Sequence, residues 1–160
     1  MTHKGEKGVD FSIPVKHEGP LPYPNGARPI YPQFEGLSPQ RFNLREDVEP
    51  WFFPGQNGGS VRGSVIWEHL QSNKKELSSH LGLVDLLAIQ AKLKIVTFRE
   101  LFPQRGIYAW RSVAKRDDTL FVPGLCSPDG TVSLMWFNIV AHGWGPYSPA
   151  LRFRDGLVKN

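Results

Sequence analysis

The sequence of 160 residues holds a single cysteine, Cys126. One cysteine cannot form a disulfide within the chain, so a disulfide-stapled secreted domain is excluded. The sequence also does not open on a signal peptide, because no basic region followed by roughly 7 to 15 apolar residues stands there. We therefore expect an intracellular, cytoplasmic protein that is not secreted.

Long apolar runs are also scarce. The longest apolar segment after residue 63 is 81–95. Polar side chains interrupt it at Asp85, Gln90, Lys92 and Lys94. A membrane-spanning helix needs about 20 consecutive, predominantly apolar residues. Neither standard glycine-rich phosphate-binding spacing occurs. These absences predict no membrane partner and no cofactor.

The overall composition is that of a folded protein of ordinary domain size. Hydrophobic residues make up 40% of the chain and charged residues 21%. Both shares differ from those of chains that stay disordered, which combine low hydrophobicity with high net charge. A domain near 150 residues buries about 70% of the surface that its unfolded chain exposes, so one core is enough.

Proline and glycine are concentrated before Ser64, where nine of the 14 prolines and nine of the 16 glycines lie. Disordered linkers are poor in aromatic residues. This segment is not, since it contains Phe11, Tyr23, Tyr31, Phe34, Phe42, Trp51, Phe52 and Phe53. The pattern predicts an extended aromatic-rich arm over residues 1–63 that docks on a surface, followed by a core domain over residues 64–160.

The periodicity after residue 64 predicts helices first and strands later. Apolar residues recur at helical spacing up to Gly82, and the segment 83–93 is apolar nearly all round its helical projection, as in a buried helix. β-Branched and aromatic residues then predict strands at 106–114, 119–122, 131–141 and 150–153. The sequence thus predicts an α+β fold: an extended Pro/Gly-rich N-terminal arm, three to four short helices, then a three- to four-stranded antiparallel sheet.

Two aromatic clusters predict a surface that binds a partner. Trp51, Phe52 and Phe53 lie between two prolines, which oppose helix and central strand alike. Tryptophan and tyrosine are enriched at the energetic centres of protein interfaces. The residues that we predict to bind a protein partner or sister subunit are Trp51, Phe52, Phe53, Trp136, Trp144 and Tyr147.

We interpret the chain as a non-enzymatic assembly or adaptor subunit of a larger intracellular complex, cellular or viral. The arm would dock on its own core or on another subunit, and a homo-oligomer is one form that such a complex takes. The sequence does not decide between these.

Nucleic-acid binding is the alternative interpretation. Seven basic residues and a single acid lie between residues 92 and 116, and aromatic residues alternate with them. Cations track phosphates, and exposed aromatic rings stack on unpaired bases. The candidate residues are Lys92, Lys94, Arg105, Tyr108, Trp110, Arg111, Lys115 and Arg116.

The segment 74–91 resembles a helix-turn-helix, with Gly82 at the turn. Its second helix would present Leu86, Leu87 and Ile89 where base readers use polar side chains. A buried pair of helices is the other interpretation of this segment.

Catalytic and metal chemistry have weaker support. On one unbroken helix His69, Glu76 and His80 would share a face, but Ser72 and Asn73 favour a break. Cys126 has His142 as its nearest candidate base in the sequence and no following helix N-terminus to activate it. We predict no catalytic, cofactor or metal site.

Overall fold

The computed structural model describes residues 10–103 and 106–154. Within these ranges no helix is long and apolar enough to cross a membrane. The α-helices of the described residues are α1 (Gly63–Gln71), α2 (Lys74–Ser79), α3 (Leu83–Lys92) and α4 (Ile95–Leu101). Two short 3-10 helices occupy Pro32–Phe34 and Trp110–Ser112.

The strands of the described residues form three sheets. In chain order they are β1 (Ser12–Pro14), β2 (Arg28–Pro29), β3 (Arg41–Asn43), β4 (Val48–Trp51), β5 (Val61–Arg62), β6 (Gly106–Tyr108), β7 (Ala114–Arg116), β8 (Thr119–Cys126), β9 (Ser133–Asn138), β10 (Gly143–Trp144) and β11 (Ala150–Phe153). β1 pairs with β3, β5 pairs with β10, and the other seven strands make the central sheet.

Strand β8 is the middle of the central sheet. The order is β2-β7-β8-β6-β11-β4, with β9 on the other edge of β8. Every pairing is antiparallel except that of β6 with β11. Proline within a central strand removes a ladder donor. Pro123 is accommodated because it lies beyond the end of β6, next to the 3-10 helix that separates β6 from β7.

Two apolar clusters cover opposite faces of this sheet. Side chains alternate between the faces of a strand, and in β6 Ile107 joins one cluster while Tyr108 joins the other. The first cluster packs α3 and α4 against the sheet through Leu86, Ile89 and Phe98. The second packs α1 and α2 and contains Trp51, Trp67, Trp110 and Trp144.

The helical pair that resembles a helix-turn-helix is α2 and α3. At the start of α3 the carboxylate of Asp85 accepts the backbone N–H of Gly82 at 2.8 Å, which satisfies a donor that the helix leaves free. A Cβ at position 82 would lie 2.5 Å from Nη2 of Arg111, so a larger residue there would displace the guanidinium. Leu86 and Ile89 are fully buried, whereas Leu87 is half-buried.

The expected fold is wrong in its sheet and its arm. Seven strands, not three or four, form the central sheet, which is mixed rather than purely antiparallel. The segment predicted to be an extended arm contributes β1 to β5, of which β2 and β4 belong to that sheet. These strands are two to four residues long, and three of the five contain a proline, so they are too short to show the alternation by which strands are recognised.

Candidate interaction surface and adjoining cleft

Within the described part of the chain, strand β9 pairs with another strand on one edge only. The N–H of Ile139 donates to the carbonyl of Leu120 at 3.1 Å, so alternate residues of β9 direct their backbone groups toward β8. Leu134, Trp136 and Asn138 therefore direct theirs to the other side. Among residues 10–103 and 106–154, no hydrogen bond reaches these outward N–H and C=O groups.

The other two edges of the central sheet each place a proline outward. Ile30 donates its N–H to Val113 at 3.0 Å, so Ile30 faces β7 and its neighbour Pro29 faces away. The backbone N–H of Arg154 donates to the backbone carbonyl of Asp47 at 2.9 Å. The backbone groups of Asp47 and Glu49 therefore point toward β11, and Pro50 points away from it. Proline and charge at an edge prevent pairing with a further strand. β9 has neither a proline nor a charged residue.

The chain itself covers part of Trp136. The indole Nε1–H donates to the carbonyl of Pro22 at 3.2 Å, and the ring of Tyr23 lies 5.5 Å away from centroid to centroid. Both contacts are made by a side chain on one face of β9 and do not involve the backbone groups at its edge. They leave its outward edge without a partner strand among the described residues.

Exposed apolar side chains cluster in and after β9. Met135 is 39% exposed, Val140 71% and Tyr147 74%. Trp144, by contrast, is buried: its ring lies 5.1 Å from that of Trp110, and its Nε1–H donates to Ile139. Met135 and Val140 are not among the residues that the sequence predicts to bind a partner.

The cluster at Trp51 packs largely within the chain. Trp51 is 9% exposed, and Phe52 and Phe53 are half-buried. The ring of Trp51 lies 4.8 Å from that of His80, which is fully buried. Burial lowers the pKa of His80 to about 3, and the positive charges of Arg152 and Arg111 act in the same direction.

The basic segment divides into buried and exposed residues. Tyr108, Trp110 and Arg111 are buried. Among the other candidate residues, Lys92, Lys94, Lys115 and Arg116 are exposed. Arg105 lies outside the described residues. The nucleic-acid alternative stays a prediction.

Arg111 belongs to a buried polar network. Its Nη2 lies 3.1 Å from the carboxylate of Asp85 and 2.5 Å from the hydroxyl of Ser38, and neither charged side chain reaches solvent. Ser112 donates to Glu35 at 2.8 Å. Burial raises the pKa of both carboxyls, and the charge of Arg111 opposes that rise. The network ties the segment that follows β2 to the start of α3.

A cleft of about 890 Å³ opens on the face of the sheet that carries Met135. Its lining includes Tyr108, Cys126, Met135 and Phe137, together with the exposed residues Arg99 and Tyr147. The ring of Tyr108 lies against the backbone of Gly124, where a Cβ would stand 2.8 Å from the ring. Glycine at position 124 therefore leaves the space that this ring occupies.

The chemistry of the cleft favours binding over nucleophilic attack. Burial raises the pKa of the Cys126 thiol, which keeps it in the poorly nucleophilic protonated form at neutral pH. Burial also raises the pKa of Tyr108. The exposed His142 contacts the ring of Phe137 at 5.4 Å.

The candidate metal ligands come together in part. Nε2 of His69 lies 2.6 Å from the carboxylate of Glu76, while His80 packs on Trp51. Within the described ranges no three His, Cys, Asp or Glu side chains are placed to hold a metal ion.

No protein-family model, curated protein or solved structure matches this chain.

Proposed function

We propose that this chain is an assembly subunit that associates with a second copy of itself by pairing the outward edges of two β9 strands. The observation that carries the proposal is the contrast between the edges of the central sheet. Two edges present an outward proline, whereas β9, which has no charged residue, presents the outward N–H and C=O groups of Leu134, Trp136 and Asn138. An unprotected edge is a template for a further strand.

The composition of β9 favours a second copy as its partner. Leu134 and Trp136 lie on one face of the strand, and Met135 and Phe137 lie on the other. A strand that pairs with β9 must therefore be apolar on both faces, and β9 itself meets that requirement. It also brings no like charges together.

An antiparallel pair of identical strands has a twofold axis perpendicular to the sheet. With Met135 on that axis, Leu134 of each copy lies opposite Trp136 of the other, and their outward backbone groups form hydrogen bonds. The two central sheets would then become continuous. The exposed side chains of Val140 and Tyr147 lie close to this strand in the sequence and are available to extend the contact.

Sedimentation velocity over a wide range of protein concentrations tests the proposal. One pair of strands buries less surface than the roughly 1,200 Å² typical of stable complexes, so we expect a monomer at low micromolar concentration that converts to a dimer as concentration rises. The variant Met135→Lys places a charge beside its own copy on the axis and should remain monomeric throughout.

Val65→Lys is the matched control, because Val65 on α1 is also 39% exposed. It should dimerise like the native chain. A native chain that stays monomeric at the highest concentration contradicts the proposal. So does a Met135→Lys variant that dimerises as the native chain does, since the interface would then lie elsewhere.

A further inference from the structure

The cleft next to β9 has the size and lining of a small-molecule site. Its volume of about 890 Å³ lies within the roughly 300 to 1,000 Å³ of ligand pockets. Such pockets are mostly apolar with a few placed polar groups. All the lining residues come from one chain, so the site does not depend on the association of two copies.

The lining is aromatic on several sides. Tyr108 and Phe137 meet edge to face, with centroids 5.2 Å apart and planes inclined by 71°. Tyr147, which also lines the cleft, is 74% exposed, so its ring is available to a ligand. The sulfur atoms of Cys126 and Met135 complete the surface, and sulfur makes favourable contacts with the edges of aromatic rings. A flat aromatic body matches this lining better than a flexible chain.

One charged side chain faces this aromatic surface. Arg99 is the charged residue among those that line the cleft in the described chain. Its Nη2 donates to the carbonyl of Ser127 at 3.4 Å. Within residues 10–103 and 106–154 no carboxylate lies within ion-pairing distance of it. A guanidinium offers five N–H donors in a planar fork that suits a carboxylate.

We propose that this cleft binds a planar aromatic carboxylate, with its ring against Tyr108 and Phe137 and its acid group on Arg99. The ring replaces water on apolar side chains, and Tyr147 lines the cleft beside it. The carboxylate supplies the missing counter-charge. Both halves of the ligand are needed, so neither a neutral aromatic compound nor an aliphatic acid should bind as well.

The test uses 2-naphthylacetate and its neutral amide, 2-naphthylacetamide, as probes of matched shape. Calorimetric titration of the native chain at low micromolar concentration should show the acid binding about tenfold more tightly than the amide, as expected for one charge-assisted hydrogen-bonded pair. Decanoate, an aliphatic acid of similar length, should bind more weakly than naphthylacetate.

Two variants separate the charge at Arg99 from the overall charge of the protein. Arg99→Gln should reduce the affinity for naphthylacetate about tenfold and leave that for the amide unchanged. Arg62→Gln is the matched control, because Arg62 is an exposed arginine on β5, outside the cleft. It should leave both affinities unchanged.

Cys126 provides a second readout that locates the ligand. It is the only cysteine in the sequence and lines the cleft, so saturating naphthylacetate should slow its alkylation by a maleimide about fivefold or more. The proposal is overturned if no probe binds at millimolar concentration or if acid and amide bind equally. It is also overturned if decanoate binds as tightly as naphthylacetate, or if binding leaves the alkylation rate unchanged.

Discussion

Strands β4 and β9 both lie at an edge of the central sheet, and each contains a tryptophan, but they are built in opposite ways. β4 turns a proline outward, pairs its Glu49 with Arg152 and Arg154, and buries Trp51. β9 has no partner for its outward N–H groups among the residues that the structure describes, has no charged residue, and keeps Trp136 half-exposed. The difference teaches that aromatic content alone does not identify an interface. What distinguishes the two strands is whether the edge is protected.

The largest expected effect contrasts the two tryptophans. Trp51→Ala should lower the free energy of unfolding by about 3 to 5 kcal/mol, because it removes a buried ring that packs on His80 and Phe53. Trp136→Ala should cost clearly less, because its ring is half-exposed and contacts Tyr23 on one side. Urea unfolding midpoints measure both. Equal losses would mean that the two edges do not differ in packing.

The next largest effect is the pH dependence of the free energy of unfolding that the buried His80 contributes. Folding holds the pKa of His80 at about 3, below its usual 6.5, so only the unfolded chain gains this proton between these values. Acid therefore favours unfolding, by at most about 1.4 kcal/mol per pH unit from this group. The free energy of unfolding should fall as the pH drops from about 6.5 toward 3.

His80→Phe keeps a ring against Trp51 and should make that pH dependence shallower. His142→Gln is the control, since His142 is exposed on the β9 side and should leave the slope unchanged. Unfolding titrations at several pH values between 7 and 4 give the slopes. A His80→Phe slope equal to the native slope would contradict the prediction.

The smallest effect on stability comes from removing the protection of β4. Pro50→Thr restores an outward N–H that water can bind, so the free energy of unfolding should change by no more than about 0.5 kcal/mol. Self-association should nevertheless increase, because a second edge becomes able to pair. Sedimentation velocity would then show species larger than a dimer.

Pro54→Thr is the control for that experiment, because Pro54 is exposed and lies outside β4. It should sediment like the native chain. If Pro50→Thr also sediments like the native chain, the outward proline is not what prevents this edge from pairing.

The helices could be predicted because their signals are local. The apolar run at 83–93 predicted a buried helix, and α3 spans Leu83–Lys92 with a cap at Gly82. Capping and periodicity act within a few residues, so a single segment contains the evidence. The predicted strand at 106–114 was wrong in its continuity, because the chain leaves β6 at Tyr108 to bury Arg111 and Ser112 beside α3.

The sheet and the candidate surface depend on residues far apart in the chain. β2, β5 and β10 are two residues long, and no periodicity can be seen in so few residues. Whether β9 has one neighbour or two is decided by the order of the strands, which no segment encodes alone. Trp136 and Tyr147 could be proposed from residue type, whereas Met135 and Val140 stand out only once their exposure is known.

The pairing of β4 with β11 also determines when β4 can fold during synthesis. Val48 pairs with Phe153, so β4 leaves the ribosome about a hundred residues before its partner. Until β11 is made, Trp51 lacks the strand beside it, and both edges of β4 are open. A nascent chain thus exposes its most apolar early segment for most of its translation, which makes this interval the one in which a chaperone would act on it.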